Sequence, residues 1–162
     1  MNLLKTLIFT VLIPGTVTVL LPSLLLPSHP LPQPLTPPNY LGALVVALGA
    51  CVYFWCAWDF ATAGRGTPLP LDPPKELVVR GLYRHVRNPM YTGVLSILFG
   101  ESILFGSRAL AAYSLGFLVA YNLIVLLYEE PALRRKFGEP YERYCRAVPR
   151  WLPRLSANGA AH

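Results

Sequence analysis

The residues best suited to chemistry fall in two clusters. Gly81-Leu82-Tyr83-Arg84-His85-Val86-Arg87-Asn88-Pro89-Met90-Tyr91-Thr92-Gly93 is a basic, aromatic hinge between uncharged apolar runs, and Glu129-Glu130 closes the last such run. Asn88-Pro89 predicts a helix start, because Asn caps free backbone N–H groups and Pro suits the first helical position. The amino end of that helix carries partial positive charge and unpaired donors. With Arg84, Arg87 and His85 just upstream, it makes a pocket for an anion such as a carboxylate. Glu129 and Glu130 present the opposite case. Two adjacent carboxylates at a helix carboxyl end oppose both the helix dipole and each other, so they call for cations.

The elements that must bring these clusters together are apolar helices. Of 162 residues, 54% are hydrophobic and only 14% charged, a membrane composition that leaves room for one domain, residues 1–162. The net charge of +6 is interleaved with apolar runs, which points to anionic lipid rather than nucleic acid as the partner. Cys51, Cys56 and Cys145 form no CxxC or zinc-ligand spacing, so neither a disulfide nor a metal is expected. The expected fold is all-α and polytopic, with four transmembrane helices over residues 6–26, 40–58, 89–105 and 109–128. A cleaved signal peptide is the alternative for the first run; its length, Pro14 and Pro22, and the lack of a small-x-small cleavage site favour a retained helix.

Between the spans, residues 27–39 hold six prolines and read as an extended crossing. Residues 63–88 form a polar loop, and Ser107-Arg108 a tight turn. Gly93, Ser96 and Gly100 on the third span and Ala112, Gly116 and Ala120 on the fourth predict close packing of those two helices as a hairpin. Residues 131–153 place Leu133, Phe137, Tyr141, Tyr144, Cys145 and Val148 at near-helical intervals, broken by Gly138 and Pro140, as an amphipathic lid on the membrane surface. Residues 156–162 read as a disordered tail. With the amino terminus inside, thirteen of the fourteen Lys and Arg fall on the cytoplasmic side and only Arg108 outside. Both termini, the hinge and the lid are then cytoplasmic.

This topology sets Glu129-Glu130 near Arg87, Asn88 and Tyr91. A ligand bearing a carboxylate and positive charge would satisfy both helix ends, and S-adenosylmethionine is such a ligand. Simpler roles exist for the same residues. Glu130 and Arg134 are spaced to pair along one helix, the basic residues suit lipid headgroups, and Tyr83 and Tyr91 suit interface anchors. Glu101 is an ionisable group inside a span, a functional candidate or a partner of Arg108, Asn122 or Tyr121.

Gly81-x-Tyr83, Arg87-Asn88-Pro89-Met90-Tyr91-x-Gly93, Tyr128-Glu129-Glu130, Phe137-Gly138-x-x-Tyr141-x-x-Tyr144 and Val148-Pro149-Arg150 follow one another in an order that resembles the isoprenylcysteine carboxyl methyltransferase and phospholipid N-methyltransferase superfamily. The resemblance covers about the last half of the chain. It implies an S-adenosylmethionine site at the cytoplasmic helix ends, covered by the carboxyl-terminal segment, with a lipophilic acceptor entering from the bilayer. The family pattern has His before the Pro; here Asn88 stands there and cannot exchange a proton near neutral pH. By this resemblance Tyr83, His85, Arg87, Asn88, Tyr91, Gly93, Glu129, Glu130, Tyr141 and Tyr144 are cofactor-binding candidates. Glu129, Glu130 and Arg150 are the catalytic ones. An amine acceptor would need a proton acceptor among Glu129, Glu130 and His85; a carboxylate or thiolate acceptor would not. The rival classes are a nicotinamide-dependent membrane reductase and a non-enzymatic lipid-binding protein. The acceptor and the oligomeric state are not legible in the sequence.

Overall fold

The computed structural model describes Ile8, residues 10–26 and 34–63, Leu77, and residues 79–152. Lys5, Arg65, Lys75, Arg154, most of the Pro-rich crossing and the residues from Ser156 onward lie outside them. All regular structure among the described residues is helical. α1 is Thr10–Leu25, α2 Pro37–Ala63, α3 Pro89–Leu104, α4 Arg108–Ile124, α5 Glu130–Phe137 and α6 Glu139–Ala147. A short 3-10 turn, Gly81–Arg84, precedes α3. Two stretches are long and apolar enough to cross a membrane, Pro37–Asp59 in α2 and Arg108–Phe137 through α4 and α5. α1 and α3 are apolar but shorter, so the expected four crossings do not follow from helix length alone.

Prolines shape two of the helices in the same way. A wide π turn, Thr16–Leu20, ends two residues before Pro22 in α1, and a second, Val125–Glu129, ends two residues before Pro131. A proline ring inside a regular helix collides with the carbonyl four residues back and supplies no N–H. Widening the preceding turn relieves that collision without ending the helix. Hence α4 continues into α5, where the sequence suggested a break between span and lid.

The closest packing lies between α2 and α3. A Cβ on Gly42 would lie 2.4 Å from the Leu104 nitrogen, and one on Gly49 would lie 2.7 Å from the Gly93 carbonyl oxygen. The small residues of α3 therefore face Gly42, Val46 and Gly49, and not the small residues of α4 as expected. Gly116 has nothing within 4 Å of its would-be Cβ, and Ala112 is exposed. Asn39, buried at the start of α2, binds the other end of α3: its Nδ2 donates 2.7 Å to the Leu104 carbonyl, a terminal acceptor that the helix leaves unpaired. α1 is tied in by Tyr113 Oη, which donates to the Val17 carbonyl at 2.9 Å.

The α3–α4 turn forms where expected. Gly106 has a φ of +60°, and Ser107 Oγ caps α4 by accepting from the Leu110 N–H at 3.3 Å. Gly49→Ala should overpack the α2–α3 contact and cost about 1–3 kcal/mol, whereas Gly116→Ala should be neutral or slightly stabilising. Thermal unfolding of both variants in detergent checks the contrast.

Candidate functional site

Glu130 is the most enclosed charge near the hinge, 3% exposed. Pro131 and the wide turn before it fix the direction of the Glu129-Glu130 pair, and the two carboxylates reach different partners. Glu130 Oε1 lies 3.1 Å from Arg87 Nη1 of the hinge and accepts from Arg150 Nε at 2.7 Å. Its Oε2 accepts from Arg150 Nη2 at 3.0 Å, with Arg134 Nη2 at 3.7 Å on the outside. The Arg150 pairing is a planar two-point fork, the geometry that suits guanidinium and carboxylate. The i, i+4 pair with Arg134 does form, yet Arg134 makes its closer bond to Glu142 at 2.8 Å.

Glu129 turns instead toward α3, where the Tyr91 hydroxyl donates to its Oε1. The Tyr91 ring packs on Tyr121 of α4 with centroids 4.6 Å apart. Arg87 Nη1 donates to Cys145 Sγ, while Arg87 Nε is buried with no hydrogen-bond partner. A buried donor without an acceptor is costly.

Four further bonds hold the lid to this end of the bundle. Tyr144 Oη donates to the Tyr83 carbonyl at 2.7 Å, and the Arg87 N–H donates to the Pro149 carbonyl at 2.9 Å. Asn88 Nδ2 donates to the Arg150 carbonyl at 3.3 Å, and Trp151 Nε1 donates to Asn122 Oδ1 at 2.9 Å. Tyr141, Tyr144 and Val148 are buried with Leu133, Phe137 and Leu77. The apolar face expected to lie on the membrane is thus turned against the protein. Burial raises the phenols of Tyr83, Tyr141 and Tyr144 above the ordinary tyrosine range, so each is a neutral hydroxyl at physiological pH. The Glu130 carboxylate raises Arg150 further above its ordinary range.

The structure brings together Tyr83, Arg87, Asn88, Tyr91, Glu129, Glu130, Tyr141, Tyr144 and Arg150 from the sequence reading. It leaves two of the candidates elsewhere. His85 is exposed on the outer side of the turn, because the 3-10 geometry buries Tyr83 and sends the next two side chains outward. Gly93 is buried in the α2–α3 contact, where a Cβ would lie 2.9 Å from the Gly49 carbonyl oxygen. Asn88 precedes α3 as expected but makes no side-chain cap; its amide is used on the lid. Glu101 pairs with none of Arg108, Asn122 and Tyr121, and its Oε2 is buried without a hydrogen-bond partner.

Residues 38–140, which hold the hinge and both glutamates, match the phospholipid methyltransferase family. The chain belongs to that family of membrane methyltransferases. The probable protein-S-isoprenylcysteine O-methyltransferase of Oryza sativa subsp. indica is 27% identical over 126 residues, covering 71% of this chain and 61% of that protein. Methanethiol S-methyltransferase 2 of Bradyrhizobium diazoefficiens is 36% identical over 76 residues, covering 47% of this chain and 28% of that protein. The chain therefore spans less than two thirds of the length of these relatives. No solved structure matches it.

The matched phospholipid methyltransferase region ends before Tyr141, Tyr144 and Arg150; their place in the site rests on the geometry and the motif resemblance, not on the family match. The sequence reading missed Asn122, Trp151 and Cys145 as site contacts, since an amide, an indole and a thiol near an apolar helix carry no pattern of their own. Glu130→Ala would leave the mostly enclosed Arg87 and the partly exposed Arg150 without their carboxylate. The expected loss is about 3–5 kcal/mol, read as a fall on the order of 10 °C in thermal unfolding. Arg134→Ala, outside the buried cluster, should change the unfolding temperature little.

Proposed function

We propose that this chain is an S-adenosylmethionine-dependent methyltransferase acting on a lipophilic acceptor at the cytoplasmic membrane face. The observation that carries the reading is one composite site. A buried arginine with an unpaired Nε, a tyrosine–glutamate pair beside it, and a lid locked over both by Glu130 and Arg150 meet at the end of an apolar bundle. The donor set suits the two ends of the cofactor. Arg87 Nε would take its carboxylate, and Glu129 its ammonium or a ribose hydroxyl. When bound, the cofactor supplies an electrophilic sulfonium methyl for in-line displacement, chemistry that asks chiefly for alignment and a dry pocket.

The chain's own residues supply those two conditions. Glu130 is occupied by Arg87 and Arg150, so its role is to hold hinge and lid together rather than to bind ribose. Tyr91 orients the Glu129 carboxylate through its hydroxyl. Tyr141, Tyr144 and Val148 exclude water from beneath the lid. An amine acceptor would lose its proton to Glu129; an acceptor carboxylate or thiolate needs no base. The rice relative is named for an isoprenylcysteine acceptor and the Bradyrhizobium relative for methanethiol. An isoprenylcysteine-like carboxylate, a phospholipid amine and a small lipophilic thiol are the acceptor classes in view. One integral membrane domain of four spans, with both termini cytoplasmic, completes the proposal on the strength of the Lys and Arg distribution.

The test is a thermal shift of the detergent-purified protein with S-adenosylmethionine, S-adenosylhomocysteine and NADPH in parallel. At a hundred times its dissociation constant, a ligand stabilises by about 2.7 kcal/mol, a rise of roughly 5 °C or more for a chain of this size. The expected outcome is a rise with both adenosyl compounds and none with NADPH; a rise with NADPH alone would make the protein a reductase. Glu129→Gln should lower S-adenosylhomocysteine affinity by roughly tenfold, the weight of one charged hydrogen bond, measured by titration calorimetry.

A further inference from the structure

A second ion pair, buried only at its carboxylate, sits at the end of α2. Asp59 is 6% exposed, and its Oδ1 accepts from Arg80 Nε at 3.2 Å and Nη2 at 3.1 Å. The same Nη2 donates to Thr62 Oγ1 at 3.1 Å, so Arg80 grips the last turns of α2 at two points. Gly81 follows with a φ of +54°, and a Cβ there would lie 2.2 Å from Asp59 Oδ2 and 3.3 Å from Trp55 Nε1. Glycine is required twice at this position, once by the left-handed backbone and once by the carboxylate against it.

From that seat the chain reaches the site by short steps. The Tyr83 N–H donates to the Arg80 carbonyl at 3.1 Å, the Tyr83 carbonyl accepts from the lid's Tyr144, and the Arg87 N–H donates to the Pro149 carbonyl. Residues 81–88 contain one turn of 3-10 helix and no longer element. Their placement is therefore set by contacts to other elements: Arg80-Gly81 on α2, Pro89 on α3, and the bonds of Tyr83 and Arg87 to the lid and Glu130. The ion pair itself is a weak source of stability, because the Arg80 side chain is 49% exposed and Asp59 Oδ2 is buried without a hydrogen-bond partner. Geometry is what it supplies.

We propose that Asp59 and Arg80 are positioning residues for methyl transfer: their ion pair, closed against Gly81, anchors the hinge so that Tyr83 and Arg87 meet the lid in register. Neither residue is hydrogen-bonded to Tyr91, Glu129, Glu130 or Arg150; they act through the turn between. The catalytic half of this inference rests on the methyltransferase reading above, while the anchoring half does not.

Cys145 provides a separate readout, since this half-buried thiol of the lid lies against Arg87 of the hinge. In a Cys51→Ser background, which removes the exposed thiol of α2, alkylation of Cys145 by iodoacetamide is followed by mass spectrometry alongside turnover. Asp59→Asn and Arg80→Ala should raise the Cys145 labelling rate ~10-fold through local opening of the lid. They should lower kcat ~10- to 100-fold with the acceptor KM unchanged, the mark of misalignment. Arg80→Lys should recover part of both, and Arg80→Gln carries the test if Asp59→Asn does not fold. Unchanged labelling in these variants would overturn the proposal, whether or not kcat falls. Raised labelling in a protein that binds no adenosyl compound would keep the anchor and overturn the methyltransferase reading.

Discussion

A carboxylate buried between guanidiniums sets the terms for this fold. Glu130 has almost no contact with solvent, so its charge is tolerable only while Arg87 and Arg150 remain beside it. Arg87 comes from the hinge before α3 and Arg150 from the end of the lid, 63 residues apart in sequence. The cost of separating them from Glu130 turns three distant segments into one unit. The lid is therefore part of the fold and not an appendage resting on it.

That arrangement depends on the helices reaching their stations without a break. The wide turn before Pro131 lets α4 run into α5, and with that turn Glu129 faces Tyr91 while Glu130 faces Arg87. At the opposite end, Asn39 ties the start of α2 to the last carbonyl of α3. Between the two ends, glycines bring the backbones of α2 and α3 into direct contact, so a shift of one helix is passed to the other. A site made from helix ends needs such stiffness, because the ends carry the donors and the middle of the bundle sets where they lie.

Much of this was legible in the sequence, and the parts that were not share a cause. Asn88-Pro89 marked the start of α3, Gly138 with Pro140 marked the break in the lid, and the juxtaposition of Glu129-Glu130 with Arg87 followed from antiparallel helices. Those are local signals, or single steps from one. Pairing choices are different. Small residues recur on α2, α3 and α4 alike, and a one-dimensional pattern does not say which two helices meet; the structure chose α2 and α3. An amphipathic stripe suits a bilayer surface and a protein surface equally, so the inward turn of Tyr141, Tyr144 and Val148 had no separate mark. The Asp59–Arg80 pair crosses 21 residues, and neither partner belongs to a motif. His85 looked chemical by residue type alone, and the 3-10 turn sends it outward.

In the proposed site two neighbouring glutamates divide the labour: Glu130 locks the lid, and Glu129 with Arg87 would meet the ligand. A structure of the protein in lipid with S-adenosylhomocysteine tests it most directly. The expected result is the ligand's carboxylate on Arg87 Nε, its ammonium or ribose on Glu129, and the Glu130–Arg150 fork intact. A ligand held by Glu130 with Arg150 released, or one bound away from Arg87 altogether, would contradict it.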